Sequence, residues 1–509
     1  LSPAAILRLL SILNDFERYL SVPAGIFEPD TMKVLFVCSE VAPFSKTGGL
    51  ADVAGALPAA LAALGHEVTV VTPLYQSVKD AAIRPMGLGV SLRFPFGQVA
   101  YSLREAKLGE NLRVVFIDQP YFFDRPGLYQ DGESDYRDNH RRFGFFAVAA
   151  LNCAELLGFE PDIVHLNDWQ TGPTAVALAT GYRGRALARA RSVFTIHNLA
   201  YQGMFAKSVM GDLGLPWDLF TSEGLELFDA VSFLKAGLAY SDALSTVSPR
   251  YAEEIQTPEG GFGLDGFLRR RRAALRGILN GVDYGEWNPK TDRHLPAHFD
   301  ASHLDGKTGC KQALLDAFGL TGPELPLFAI VGRLVDQKGI DILLGALFRL
   351  LHGNVRFVAL GSGESRYERR LQALKDRFPD KVGIYLGFDT ALSHLIEAGA
   401  DFFLMPSRFE PCGLNQMYSL RYGTVPVVRS VGGLEDTVVD LSRPGGTGLK
   451  FSSFSVEALE HALYRATALY RDPVAFRQVQ VRGMACDFSW ASAARQYQAL
   501  YESLSTVNS

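Results

Sequence analysis

Cysteine is scarce in this chain and carries no pattern. Cys38, Cys153, Cys310, Cys412 and Cys486 are odd in number and never spaced as CxxC, so neither a disulfide framework nor a zinc site is indicated. A reducing, cytoplasmic setting is the expectation that follows. Long apolar runs are also missing. None approaches the roughly 20 residues that span a bilayer, so no membrane partner is expected. Charge of one sign is not in excess either. With 50 basic against 55 acidic residues the formal charge is −5, which offers nothing to attract nucleic acid or an anionic surface, and a large polymeric substrate would be uncharged. No DxD pair stands at a strand end, no His/Asp cluster has metal spacing, and GxxxxGK[ST] is absent, so neither an obligatory metal, another cofactor nor a Walker-type site is expected. The sequence carries no signal for an oligomeric state.

What is present is a long, ordinary globular composition. At 509 residues, 48% of them hydrophobic, the chain exceeds one core and predicts two large domains. Short β-branched and apolar runs recur at 34–37, 68–71, 114–117, 163–166 and 193–196, separated by helix-length stretches. That alternation predicts an α/β fold with parallel sheets. It fades over 283–324, where Pro289, His294, Pro296, His298 and Asp305 sit in polar surroundings. It resumes at 327–331, 355–360, 384–386, 402–405 and 425–428. The resulting division is an N-terminal extension (1–31), a first domain (32–290), a connecting region (291–325), a second domain (326–486) and a C-terminal helix (487–509) packing back on the first domain. Met32-Lys33 directly precedes the first strand pattern, suggesting that 1–31 lies upstream of the usual start. Within it Ile6, Leu9, Leu10 and Leu13 have the spacing of one helix face.

The unusual polar and Gly-rich segments fall at the carboxyl ends of predicted strands, where parallel sheets bind ligands. After the first strand comes Ser45-Lys46-Thr47-Gly48-Gly49-Leu50-Ala51-Asp52. Paired glycines beside a lysine allow backbone amides and an ammonium to approach a phosphate, although a plain turn with a solvated Lys46 fits too. Arg333 and Lys338 follow a buried strand in GRLVDQKG (332–339). Glu410 precedes small residues and a helix start in PSRFEPCGLNQ (406–416), where a general acid or base, a sugar ligand and a helix N-terminal charge are all open readings. His197 and Asn280 read by default as turn residues, and Asp168 as a helix cap.

KTGGLADV (46–53), HLNDWQTG (165–172), IHNLAYQG (196–203), GILNGVD (277–283), GRLVDQKG and PSRFEPCGLNQ run in order through nearly all of the chain from Met32 onward. Together they resemble the family that joins bacterial glycogen synthases to plant starch synthases. The resemblance implies the GT-B glycosyltransferase fold, two Rossmann-like domains facing a cleft. It also implies that Lys46, Gly48 and Gly49 contact the nucleotide diphosphate, with Asp52 supporting their loop. Arg333 and Lys338 would neutralise charge growing on the departing diphosphate. Glu410 would lie against the glucose hydroxyls, and the amides of Cys412, Gly413 and Leu414 would bind sugar and phosphate. Asn415 stands where Thr also occurs among relatives. His197 and Asn280 would contact the donor glucose, and Asp168 would lie toward the acceptor. Phe388 stands where an aromatic residue often stacks on adenine, here without a tyrosine hydroxyl. Tyr129, Asp135, Tyr136, Asp138 and Asn139 resemble the family's acceptor-side insertion, while a solvent-exposed loop fits equally well.

The activity so implied is retaining transfer of glucose from ADP-glucose, as substrate, to the non-reducing end of an α-1,4-glucan such as glycogen. UDP-glucose is the alternative donor. A nucleotide-sugar epimerase, a phosphorylase using pyridoxal phosphate, or a silent glucan-binding relative are rival readings of the same fold.

Overall fold

The computed structural model describes residues 31–78, 83–132, 134–181 and 187–505, so the expected helix face at Ile6–Leu13 lies outside the described residues. The chain forms two compact units. One comprises residues up to Val247, Ala252–Gly281 and the segment from Trp490; the other comprises Ser248–Tyr251 and Val282–Ser489.

The first unit is built on a nine-stranded sheet. Its centre pairs Lys33–Val37 in parallel with Glu67–Pro73 on one side and Ile163–Asn167 on the other. Arg191–Ile196, Ala243–Thr246 and Leu275–Gly277 extend one edge, and Leu112–Asp118 the other. Residues 34–37 are wholly buried, as expected of a strand covered on both faces, and each such side chain contributes about 1.5–3 kcal/mol. An antiparallel hairpin, Arg84–Phe94 with Gly97–Lys107, completes the second edge. The terminal helix Trp490–Ser505 belongs to this unit, where Tyr501 Oη meets buried His165 Nδ1 at 2.6 Å.

The second unit carries a six-stranded, all-parallel sheet. Its first strand, Leu327–Val331, lies between Arg356–Gly361 and Phe402–Met405, with Val382–Leu386 beyond the former and Val425–Arg429 and Leu449–Phe451 beyond the latter. In chain order this is 3-2-1-4-5-6, the doubly wound arrangement, with its switch point between the first and fourth strands. Strand alternation divides the core between two faces. Phe328, Ile330, Phe357 and Leu404 pack in one cluster with helix Ile340–Leu350, while Leu327, Ala329, Val358 and Phe403 pack in the other with Leu314 and Ile396.

The stretch 291–325, expected to connect two domains, is packed into the second unit. Its polar residues find partners inside. Buried Asp292 accepts from His394 Nδ1 at 2.7 Å and from the Tyr422 hydroxyl at 2.6 Å. Helix Asp305–Ala317 sends Lys307 to the carbonyls of Ala398 and Tyr422 and to Thr424 Oγ1, at 2.8, 3.1 and 2.7 Å. A sequence rich in Pro, His and Asp thus looks like a linker only because its hydrogen bonds close over long separations.

Candidate active site

In the first unit the polar groups collect at the switch point between Lys33–Val37 and Ile163–Asn167, the two strand ends being tied by Asn167 Nδ2 donating to the Val37 carbonyl at 3.0 Å. Asp168 holds positive φ (56°), an outlier for a non-glycine residue. Its Oδ1 accepts from the backbone N–H of His197 at 2.8 Å. Burial raises the Asp168 carboxyl from 3.8 to about 7, against the lowering pull of the His197 and Asn198 amides and with a further rise from nearby Glu40. The His197 ring meets Asn167 Oδ1 at 2.9 Å through Nε2, and burial pushes its pKa down to about 3. The imidazole is therefore neutral at ordinary pH.

Lys46 lies exposed, its ammonium 2.6 Å from Asp52 Oδ1. The amides around it differ from the simple phosphate cradle expected from the glycines. Glu40, buried three residues beyond its strand, accepts from the Thr47 N–H at 2.5 Å, the Thr47 hydroxyl at 3.1 Å, the Gly48 N–H at 3.4 Å and the Tyr129 hydroxyl at 3.1 Å. The Thr47 and Gly48 amides thus face inward. Helix Gly49–Ala63 starts with no side-chain cap, and nothing stands within 4 Å of where a Cβ would sit on Gly48 or Gly49, so the loop's outer surface is bare. Tyr129, Asp138 and Asn139 do not form a solvent-exposed loop. Tyr129 braces Glu40, Asp138 clamps Arg125 at 2.8 and 2.6 Å, and buried Asn139 accepts from Arg142; Asp135 alone of that group is exposed, with Tyr136 half-buried.

In the second unit Lys338 Nζ lies 2.5 Å from Glu410 Oε2, which also accepts from Ser407 Oγ at 2.9 Å. Glu410 is buried and Lys338 is half-buried. Arg333 is exposed and makes no ion pair among the described residues. Gly339 explains how the two motifs meet: it adopts φ 68°, and a Cβ there would lie 2.0 Å from the Pro406 carbonyl oxygen. Asn415 Nδ2 donates to the Val331 carbonyl at 2.8 Å, bridging the switch point. A small cavity there is lined by Val331, Arg333, Lys338, Met405, Ser407 and Asn415.

Cys412 is buried, and its carbonyl and that of Gly413 accept from Gln416 Nε2 at 3.1 and 3.0 Å. Gly413 takes φ 70°, which turns the chain into the seven-residue helix Asn415–Arg421, where Leu414 stands as an N-cap without a side-chain hydrogen bond. These turn residues, Glu410 and Lys338 form one constellation. Phe388 stands apart, 82% exposed beyond the edge strand Val382–Leu386. Asn280 lies in the first unit, just after the edge strand Leu275–Gly277; it is buried and its Oδ1 has no hydrogen-bond partner among the described residues. Glu40 escaped the sequence reading, and Asn167 and Ser407 were seen only as parts of polar segments, without a role of their own. The only signal for Glu40 was its place just past a buried strand.

No helix of the described residues is long and apolar enough to cross a membrane, and no group of three or more His, Cys, Asp or Glu among them is placed to hold a metal ion.

The family model described as starch synthase catalytic domain matches residues 33–270, and that of glycosyl transferases group 1 matches 317–478. The chain is 57% identical to a glycogen synthase of Myxococcus xanthus (strain DK1622), over 93% of this chain and 99% of the relative. It is 52% identical to a glycogen synthase of Anaeromyxobacter sp. (strain Fw109-5), with the same coverage. The catalytic domain of starch synthase IV from Arabidopsis thaliana, solved with ADP and acarbose, superposes with a TM-score of 0.87 at 35% identity, over 94% of this chain and all of that one. With the doubly wound sheets and the paired motifs at their switch points, this agreement places the chain in the glycogen and starch synthase family, GT-B glycosyltransferases.

Proposed function

We propose that this protein elongates an α-1,4-glucan in the cytoplasm, transferring glucose from ADP-glucose to the non-reducing 4-hydroxyl with retention of the α configuration. The observation that carries the reading is the Lys338–Glu410 pair at the switch point of a Rossmann sheet, with the unpaired Arg333 on the same loop. Breaking the donor's glycosidic bond moves negative charge onto phosphate oxygens, and fixed cations favour that charge more in the transition state than in the ground state. Arg333 and Lys338 take this role, assisted by Lys46 on its Asp52-braced loop, and no obligatory metal is required. Glu410 holds the glucose hydroxyls while keeping the ammonium aimed. His197, neutral, and Asn280, with its open acceptor, orient the sugar. Asp168 fixes the His197 backbone on the acceptor side. Phe388 stacks on the adenine.

Donor and product are both α-linked, and this reading uses no covalent nucleophile. In the reading, the acceptor hydroxyl attacks the anomeric carbon on the face from which the diphosphate leaves, and its proton passes to a leaving phosphate oxygen. The ADP in the starch synthase IV neighbour supports an adenine nucleotide. Incubating the purified protein with glycogen and ADP-glucose labelled in the sugar tests the whole reading. Label should enter glycogen and be released as maltose by β-amylase. Label that enters only from UDP-glucose, or stays in free sugar, would contradict it.

A further inference from the structure

The first unit carries an exposed face on which three non-glycine residues hold left-handed backbone: Phe228 (φ 54°), Asp229 (59°) and Phe262 (48°). Strands Glu226–Leu227 and Ala230–Ser232 form a hairpin whose two-residue turn is Phe228-Asp229. Positive φ at both central positions is normally met by Asn-Gly. A phenylalanine there costs of order 1–3 kcal/mol, and with 75% of Phe228 exposed, burial does not offset it. Phe262 repeats the anomaly at 40% exposure.

The two positions are neighbours. A Cβ on Gly263, the residue after Phe262, would meet Phe228 Cζ at 2.6 Å, so bare backbone is what lets that ring settle. Both are also fastened to the segment that starts at His197. Gln202 Nε2 donates to the Phe262 carbonyl at 3.0 Å, Ser232 Oγ donates to the Gln202 carbonyl at 3.1 Å, and the Phe233 N–H donates to the Gly203 carbonyl at 3.1 Å. Lys207 braces the turn through Asp229 at 2.8 and 2.9 Å. Exposed Tyr201 lies in the same segment.

We propose that Phe228 and Phe262 form an aromatic platform that holds the α-glucan chain outside the transfer site, continuous with the segment 197–203. This rests on the function proposed above. Glucose rings present C–H faces that stack on flat apolar rings while their hydroxyls stay in water, and an uncharged polymer needs no charged partner. A Phe228 ring already seated over the bare Gly263 backbone loses less freedom on binding than a ring that moves freely. A platform of this kind distinguishes a polymer, long enough to reach it, from a short acceptor.

The test uses the full chain. Phe228→Asn removes the ring with a residue that tolerates the left-handed turn, and Phe228→Trp restores a flat ring. Phe228→Asn should raise the KM for glycogen roughly three- to tenfold and reduce retardation in glycogen-containing native gels, from the usual worth of one aromatic contact. The KM for ADP-glucose and turnover on maltotriose should stay within about twofold, and Phe228→Trp should restore glycogen affinity. Unchanged glycogen KM and gel retardation in Phe228→Asn would overturn the proposal. So would a loss of self-association by light scattering with glycogen affinity intact, which would make the ring a contact between copies. If the wild type transfers glucose to neither acceptor, the proposed function falls, and gel retardation alone then judges the platform.

Discussion

Removing the Lys338 ammonium separates two roles that the geometry superimposes. Its Nζ is 2.5 Å from Glu410 Oε2, the lysine side chain is 24% exposed and the glutamate side chain 7%. Lys338→Ala strands a buried carboxylate with Ser407 Oγ as a remaining donor. Breaking a fully buried pair costs about 3–5 kcal/mol, and the partial exposure of the lysine reduces this to about 1–2 kcal/mol of folding stability. The loss of a cation at the developing phosphate charge is a separate term, about 3 kcal/mol, or roughly a hundredfold in kcat. Urea unfolding reads the first and initial-rate glucose incorporation reads the second. Adding Glu410→Gln neutralises the stranded carboxylate, so it should recover most of the lost stability without recovering turnover. A folded Lys338→Ala protein with turnover within about twofold of wild type would refute the argument. Recovery of turnover in the double variant would refute it equally, since the lysine would then act only through Glu410.

Asp168→Asn reports on the raised carboxyl. The folded carboxyl ionises near 7 and the unfolded one near 3.8, so its charge costs the folded state nothing below about pH 4 and the full amount above about pH 7, up to about 4 kcal/mol. The stability gap in favour of Asp168→Asn should therefore widen between about pH 4.5 and 8, and an equal gap at both in urea titrations would contradict the assignment. Phe388→Ala should raise the KM for ADP-glucose about tenfold with little change in kcat, as expected for lost stacking on an exposed ring; initial rates against donor concentration check it. Gly339→Ala combines φ 68° with a clash at the Pro406 carbonyl, so it should lower both stability and turnover, seen by thermal unfolding and rate together. Saturating chelator should leave transfer unchanged; activity lost to it and restored only by magnesium would contradict catalysis by side chains alone.

The sequence made the central strands legible because 34–37, 163–166, 327–330 and 402–405 are buried on both faces and read as apolar runs, broken only by His165. The hairpin Arg84–Phe94 with Gly97–Lys107 did not stand out: its outer strand Arg84–Phe94 lies at the sheet edge, alternates exposed with only partly buried positions and is interrupted by Gly87 and Gly89. Ala243–Thr246 and Leu275–Gly277 are too short to signal themselves. At the site, motifs with internal spacing were visible, and the Lys338 and Glu410 segments do converge. Glu40 was not visible, since its partners Thr47 and Tyr129 lie 7 and 89 positions away and a lone carboxylate has no spacing to read. The same holds for 291–325, whose Asp292 is satisfied by residues 102 and 130 positions on.

The account depends most on where the donor's diphosphate sits. A structure determined with ADP bound should put its terminal phosphate oxygens within about 3 Å of both the Arg333 guanidinium and the Lys338 ammonium, the distance of a charge-assisted hydrogen bond. A diphosphate bound away from both groups would contradict it.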